Sequence, residues 1–317
     1  MALSAIPVVF QILGIVMFVP NMGIVLAVSI QKALRRRKEY LIIGSLAVID
    51  SFQGAALFLA GNYRMRTQLN GRGSHPATMK HCLSVVGNFI WVFTDPLAAW
   101  MLVILSSVCK PTKYRKLGRK YAAYMILGFY SFFFINGLNG VRLTYTTEKD
   151  ARNITETCMY FWAMTPQFGN YQSLLVLSGA SISVLMYAAV LAVYLSRSSP
   201  TVNSETTGQQ NEKLFQRQLT KAIGTSTTAT LLLFVLPTSF YIWGPSTSLD
   251  AATLATLYMV AYPISQCNAI LNLFIYYKRL KPVRHAIKYT FGCRGQMPVN
   301  LDAISHPTNK TAGRTAN

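Results

Sequence analysis

Apolar stretches of about 20 residues recur along the chain, and this pattern constrains its fold more than any other feature. About 20 residues of α-helix are needed to cross the hydrocarbon core of a membrane. Only 13% of the 317 residues are charged, against about 25% in soluble proteins. The sequence therefore predicts an all-α membrane protein, a bundle of seven transmembrane helices near residues 5–30, 41–62, 82–109, 121–142, 165–196, 219–244 and 252–277.

The polar parts of the chain leave no room for a second folded domain. The first span has no basic segment before it and no small-residue cleavage site, so we expect it to stay in the membrane rather than to be removed as a signal peptide. Residues 1–293 are then one transmembrane domain, and residues 294–317 are a disordered cytoplasmic tail. In the long fifth loop, residues 211–221 have helical spacing and extend the sixth span.

Positive charge is distributed unevenly between the two sides of the predicted bundle. Of the 30 Lys and Arg residues, 23 fall in the first, third and fifth connections and the tail. Because cytoplasmic segments retain Lys and Arg, we expect the N-terminus outside the plasma membrane and the C-terminus inside. The basic residues flank apolar spans, so their predicted partner is membrane lipid and not nucleic acid.

Two cysteines, Cys82 and Cys158, fall on the predicted outer side. They are either bonded to each other or free thiols, and their shared location on the oxidising side favours a disulfide. The sequon that begins at Asn153 lies in the same outer loop and is a candidate glycosylation site.

Enzyme motifs are missing from the sequence. The four His residues all lie outside the spans, and neither a metal-ligand spacing nor a Gly-rich phosphate loop is present. We therefore do not expect an enzyme.

Polar side chains inside the spans are the candidate functional positions, since a charge at membrane depth is expensive. Two are acids and four are amides: Asp50, Asp95, Asn21, Gln266, Asn268 and Asn272. Such a cluster either holds a cation or proton and biases a conformational equilibrium, or holds the helices together by hydrogen bonds. For Asn21 alone the second role is favoured.

Two further features concern the sixth span and the segment after the seventh. Pro237 lies within the sixth span, where it gives either a pivot or a static bend. After the seventh span, apolar and basic residues segregate to opposite sides of a short helix, which predicts an amphipathic eighth helix on the membrane surface. Its apolar side holds Leu280, Val283, Ile287 and Phe291, and Cys293 at its end is either a palmitoylation site or an unmodified thiol.

The order and spacing of these residues resemble those of the rhodopsin-like (class A) G-protein-coupled receptors over about residues 8–293. Asn21 resembles the first-helix Asn of that family, and residues 46–50 resemble its Leu-Ala-x-x-Asp. Pro237 resembles the sixth-helix proline, and residues 272–276 resemble Asn-Pro-x-x-Tyr. The resemblance implies that Asp50 binds sodium, with no other cofactor, and that Pro237 and Tyr276 act as switch residues.

Several family residues are replaced in this chain. Residues 103–105 are Val-Ile-Leu in place of Asp-Arg-Tyr, Leu273 replaces the proline of Asn-Pro-x-x-Tyr, and Val235 replaces the switch tryptophan. Such divergence is similar to that of nematode chemosensory receptors. It leaves two alternatives open, a signalling receptor and a receptor-fold protein that no longer couples to a G protein.

The resemblance implies a receptor for an extracellular small molecule or peptide, whose sixth helix moves to engage a heterotrimeric G protein. Candidate ligand-contacting residues in the outer half of the bundle are Phe89, Trp91, Asp95, Tyr241 and Gln266, whereas Trp243 is favoured as an interfacial anchor. The alternative is a transporter or ion channel, but no inverted repeat is visible in the sequence.

Overall fold

Long α-helices make up most of the chain in the computed structural model, which describes residues 2–108, 119–147, 154–160, 163–196, 207–243 and 251–292. The helices are α1 (Ala2–Ile30), α2 (Lys32–Arg35), α3 (Lys38–Leu69), α4 (Met79–Ser84), α5 (Val86–Val108), α6 (Arg119–Thr146), α7 (Pro166–Ser196), α8 (Thr207–Thr230), α9 (Leu236–Trp243), α10 (Ala251–Arg279) and α11 (Lys281–Thr290). A π-helical segment, Leu231–Val235, joins α8 to α9.

Within the described residues, six helical segments are long and apolar enough to cross a membrane: Ala5–Ile30, Lys38–Leu69, Val86–Ser106, Arg119–Thr146, Pro166–Ala192 and Thr220–Phe240. A helix satisfies its own backbone hydrogen bonds, which lipid cannot do. The prediction of a helical membrane protein is therefore supported. The 29-residue α10 is long enough to span as well, but its buried polar face lowers its hydropathy, and it is not among the six.

The second helix of the bundle, α3, lies at its centre and packs against α1, α5 and α6. In its most apolar window 67% of the residues are buried, against 17% in α6. The exposed face of α6 carries large apolar side chains, among them Leu127, Phe134 and Ile135. Apolar surface of this extent is typical of a helix that faces lipid.

The backbones of α1 and α3 come into contact at glycines, among them Gly14 and Gly54. A Cβ atom on Gly54 would lie 2.7 Å from the backbone nitrogen of Phe18, and one on Gly14 would lie 2.6 Å from that of Phe58. Small residues at such crossings let membrane helices approach closely and gain van der Waals contact. The pair therefore fixes how α1 lies against the central helix.

One end of the bundle, here called the hairpin end, carries a two-stranded sheet, called the hairpin below, whose strands β1 (Pro76–Ala77) and β2 (Ile154–Thr155) come from two separate connections. They pair antiparallel, with Pro76 opposite Thr155. The predicted disulfide between Cys82 and Cys158 is present and ties the second strand to α4. The hairpin therefore lies over the ends of α3 and α5.

The opposite end of the bundle carries α11, the predicted amphipathic helix. Leu280, Val283 and Ala286 are completely buried, and the ring of Phe291 would lie 3.2 Å from a Cβ atom on Gly23 of α1. The apolar side of α11 thus packs against the bundle itself, while its basic residues face away. Cys293 lies outside the described residues.

Two helix ends differ from the sequence-based spans. The second span was expected to end near residue 62, but α3 continues to Leu69. The third was expected to begin at Cys82, yet α4 ends at Ser84, the backbone of Val85 is extended, and α5 begins after it. Pro96 lies inside α5 without ending that helix.

We expect Gly54→Ala to lower the free energy of unfolding by about 1–3 kcal/mol, because the new methyl group overlaps the α1 backbone. Thermal unfolding of the purified protein in detergent measures the effect. Gly128→Ala is the matched control, since no heavy atom lies within 4 Å of its added Cβ. Equal unfolding temperatures for the two variants would contradict the tight crossing.

Candidate functional site

A small cavity lies in the middle of the bundle between α3, α5, the π segment and α10. Its volume is about 20 Å³, enough to hold one water-sized particle. Predicted site residues from two helices line it together, Asp50 from α3 and Gln266, Asn268 and Asn272 from α10. The remaining lining residues are Leu46, Gln53, Ala98, Ala99, Leu102, Phe234, Ser265 and Ala269.

Two hydroxyl groups of α8 donate hydrogen bonds to two amides of α10. The Oγ of Ser226 donates to the Oδ1 of Asn272, and the Oγ1 of Thr230 donates to the Oδ1 of Asn268 at 3.2 Å. All four side chains are buried. Ser226 and Thr230 are four residues apart in α8, and Asn268 and Asn272 are four residues apart in α10. Because four residues make about one helical turn, the two helices are joined at two successive turns.

We call these four side chains, together with Asp50, the central polar cluster. Asp50 is 5% exposed, and none of the residues lining its cavity is basic. Its carboxylate therefore has no positive charge beside it in the cavity wall. Oxygen atoms of the carboxylate and the amides surround the space, and such a donor set suits a hard cation such as sodium.

The predicted member Asn21 is not part of this cluster. Its Nδ2 donates to the carbonyl oxygen of Met17 at 2.9 Å, one turn earlier in its own helix. It is buried, yet it does not line the cavity. This hydrogen bond lies within α1, so it does not join two helices as the role favoured for Asn21 would require.

The helix that contains Pro237 is interrupted directly above the central polar cluster. Thr230 is the last residue of α8, and the π-helical turn follows it at once. In that turn the N–H of Leu236 bonds to the carbonyl oxygen of Leu231, five residues back. π-Turns inside α-helices are frequent at functional sites. Pro237 follows within α9 and can donate no backbone hydrogen bond.

A second polar group, which we call the hairpin-end cluster, consists of Arg64, Asn88, Trp91, Tyr160 and Gln172. The first two converge on the carbonyl oxygen of Cys158, the arginine through Nη2 at 3.3 Å and the asparagine through Nδ2 at 3.0 Å. Cys158 has a positive φ of 48°, which is unusual for a residue other than glycine. The two donors and the disulfide hold this backbone in place.

Aromatic rings complete the hairpin-end cluster. The ring centroid of Trp91 lies 5.5 Å from that of Tyr160 and 5.2 Å from that of Tyr262, which in turn lies 5.9 Å from that of Phe10. Burial and, to a smaller extent, the charge of Asp95 raise the pKa of the Tyr160 phenol well above its usual range. The phenol therefore stays neutral at physiological pH.

The predicted ligand-contacting residues fall in different places. Trp91 is completely buried in the hairpin-end cluster, whereas Gln266 lines the central cavity. Phe89 is 42% exposed and contacts the ring of Phe93, so it lies on the opposite side of α5 from Trp91. Asp95 is partly buried, and its charge contributes to the raised pKa of Tyr160.

Other predicted positions are described only in part. Tyr241 belongs to α9, but its side chain lies outside the described part of the chain, as does the sequon residue Asn153. Trp243 is 68% exposed, which suits an interfacial anchor. Tyr276 is buried near α11 in the apolar core that includes Leu280.

The sequence-based prediction missed Arg64, because the second span was ended before it. Its distance of 14 residues from Asp50 is close to four helical turns, and this spacing would have placed both on one face of α3. Ser226 and Thr230 were missed because a hydroxyl in a helix most often bonds to its own backbone.

We expect Asn272→Leu to lower the free energy of unfolding by about 1–3 kcal/mol, because the buried Ser226 hydroxyl loses its acceptor. In a double-mutant cycle, Ser226→Ala with Asn272→Leu should then be less destabilising than the sum of the single changes. Ser183→Ala is the control, since this equally buried hydroxyl bonds only to its own helix. An additive Ser226–Asn272 cycle, measured by thermal unfolding in detergent, would disprove the coupling.

Comparison with models of known protein families gives no match to this sequence, and no curated protein matches it either. The function is therefore inferred from the residues of the chain itself, namely the central polar cluster, the hairpin-end cluster and the interrupted helix between α8 and α9.

Proposed function

We propose that this protein is a divergent seven-helix receptor of the rhodopsin-like type. In this receptor an extracellular small molecule or peptide shifts the position of α8, the π-turn and α9, which together are called the α8–α9 rod. The observation that carries the proposal is the junction at Thr230. There a π-turn interrupts the rod at the residue whose hydroxyl bonds to Asn268 of α10. A helix interrupted beside a polar contact that can form or break has two discrete arrangements, which a switch requires.

The charge distribution gives the proposed receptor its orientation. The hairpin end with its disulfide would face the outside, and α11 with its basic residues would lie against the inner leaflet. A ligand entering from outside would meet the hairpin-end cluster first. The α8 segment before residue 220 would meet the G protein inside the cell.

Sodium is the cation that the resemblance to this family implies, and the cavity beside Asp50 suits it. The carboxylate of Asp50 would carry the counter-charge, and the Oδ1 atoms of Asn268 and Asn272 would complete the oxygen donors. The ion would stabilise the arrangement in which α8 and α10 are joined. The ion would supply only positive charge, and the helices themselves would move between the two arrangements.

A second candidate is a receptor-fold protein that does not couple to a G protein. It is favoured by Ile104, which occupies the position of the arginine in the Asp-Arg-Tyr motif of the family. This side chain is 2% exposed and belongs to the apolar core around α3. No guanidinium is offered to a G protein from this position.

We expect a panel of small organic acids, amines, alcohols and short peptides to contain at least one compound that changes cyclic AMP or calcium in cells expressing the full chain. The response should vanish in cells that lack functional Gα subunits. Asn272→Leu should change the potency of that compound at least 10-fold, because it alters the α8–α10 contact, whereas Ser183→Ala should not. Normal surface expression of both variants is the control.

An ion current that the same compound evokes in the Gα-deficient cells would contradict the receptor proposal and support a channel. Silence across the whole panel, in both cell lines and with normal surface expression, would favour the non-coupling alternative.

We expect sodium chloride to raise the thermal unfolding temperature of the purified protein relative to choline chloride at equal ionic strength. Sodium at ten times its dissociation constant would stabilise the folded state by about 1.4 kcal/mol. Asp50→Asn should remove the difference between the two salts, and Glu39→Gln, a change at the start of α3, should preserve it. A sodium effect that survives Asp50→Asn would place the ion elsewhere.

A further inference from the structure

The buried guanidinium of Arg64 has no acidic partner among the described residues. The side chain is 4% exposed, and its contacts are two backbone carbonyl groups and the ring of Phe10. Glu156, an acid of the same end of the molecule, pairs instead with Arg72 at 2.8 Å. A cation buried in an apolar surrounding without a counter-charge is costly. Something outside these contacts is expected to compensate it.

The hydrogen bonds of Arg64 leave one edge of its guanidinium unused. The Nε donates to the carbonyl oxygen of Thr157 at 3.1 Å, and the Nη2 donates to that of Cys158 at 3.3 Å. The Nη1 is buried and has no hydrogen-bond partner. Because Nη2 carries a second hydrogen, the Nη1–Nη2 edge presents the parallel pair of donors that a carboxylate accepts.

A second orphaned donor belongs to the same cluster. The indole N–H of Trp91 is completely buried and has no acceptor. Its ring packs against that of Tyr262, which packs against Phe10, and the guanidinium of Arg64 lies 4.8 Å from the centroid of the Phe10 ring. A series of three contacts, through Tyr262 and Phe10, thus runs from the indole of Trp91 to the guanidinium of Arg64.

A purely structural role explains only part of this arrangement. The two carbonyl contacts of Arg64 fasten the hairpin to α3, and neither needs the third nitrogen or the full positive charge. Attachment of the hairpin to α3 does not explain why this charge is buried. It also does not explain why Arg64 and Trp91 have donors without partners. Both are explained by an anion with acceptor oxygens.

We propose that Arg64 and Trp91 bind the carboxylate of a small organic acid whose apolar part lies against Phe10 and Tyr262. This inference rests on the proposed receptor function, for which it names the class of ligand. The carboxylate would accept from the Nη1–Nη2 edge of the arginine and from the indole N–H. Its negative charge would compensate the buried guanidinium, and the binding energy would be concentrated in charge-assisted hydrogen bonds.

The test uses the purified full chain in detergent and a panel of carboxylates as choline salts, so that no sodium is added: acetate, benzoate, octanoate and 3-phenylpropionate. We expect at least one of these carboxylates to raise the thermal unfolding temperature, and the corresponding amide not to do so. Arg64→Gln should weaken the binding at least 10-fold. Arg72→Gln is the matched control, because that arginine is 59% exposed and paired, and its loss should leave the affinity unchanged.

Two further variants keep the test decisive if Arg64→Gln fails to fold. Arg64→Lys retains the charge but not the fork of donors, and Trp91→Phe retains a ring but not the N–H. Each should weaken binding of the carboxylate by several-fold to 10-fold while the protein stays folded. Unchanged affinity in both, or no stabilisation of the original chain by any carboxylate of the panel, would overturn the proposal.

An acid of the chain itself is the remaining competitor for Arg64. Glu148, Asp150 and Asp250 lie outside the described residues and on the same predicted side of the membrane. If the combined changes Glu148→Gln, Asp150→Asn and Asp250→Asn destabilise the protein as much as Arg64→Gln does, the chain supplies the anion and the proposal is wrong. Binding by the purified protein needs no G protein, so its failure is separable from a failure to signal.

Discussion

In a hydrocarbon environment, a polar group without a partner inside the protein has no partner at all, and this constraint organises the whole bundle. Most hydroxyl groups within the helices meet it locally. Ser51 donates to the carbonyl oxygen of Ala47, and Thr144 donates to that of Gly140, each one turn back. Such bonds lie within one helix and do not determine which other helix it packs against. The side chains that bond to another helix therefore determine which helices stay together.

The clearest of these bonds between helices are the two that join α8 to α10, and they limit how the bundle can move. The single hydroxyl hydrogen of Thr230 is shared between two acceptors, the Oδ1 of Asn268 at 3.2 Å and the carbonyl oxygen of Ser226, in its own helix, at 3.0 Å. Releasing Asn268 would leave that hydroxyl still partnered. Breaking the contact would therefore leave one group without a partner, the Oδ1 of Asn268, rather than two. The π-turn that begins at the next residue gives the rod a place to bend.

The helices and the acid and amides of the central polar cluster were accessible from the sequence, whereas its two hydroxyl residues and most of the hairpin-end cluster were not. The length of an apolar run predicts a spanning helix, and a spacing of four residues puts Asn268 and Asn272 on one face. Arg64 was counted as a loop residue, because a charge near the end of an apolar run usually marks the membrane boundary. The fold buries it by continuing α3 beneath the hairpin to Leu69. Only tertiary contacts carry that information.

The replacement of the family proline by Leu273 changes how a signal would travel in the proposed receptor. Leucine keeps its backbone N–H, and α10 runs unbroken from Ala251 to Arg279. Tyr262, in the aromatic group of the hairpin end, and Asn272, in the central cluster, therefore lie on one continuous helix, about 15 Å apart at 1.5 Å per residue. Pro263, which follows Tyr262, lacks a backbone N–H, so a ligand that displaces Tyr262 would tilt the part of α10 from Pro263 to Arg279 as one unit. The contacts of α10 with Ser226 and Thr230 would then change together, and the bend would occur in the π-turn of the neighbouring rod, where the helix is already interrupted.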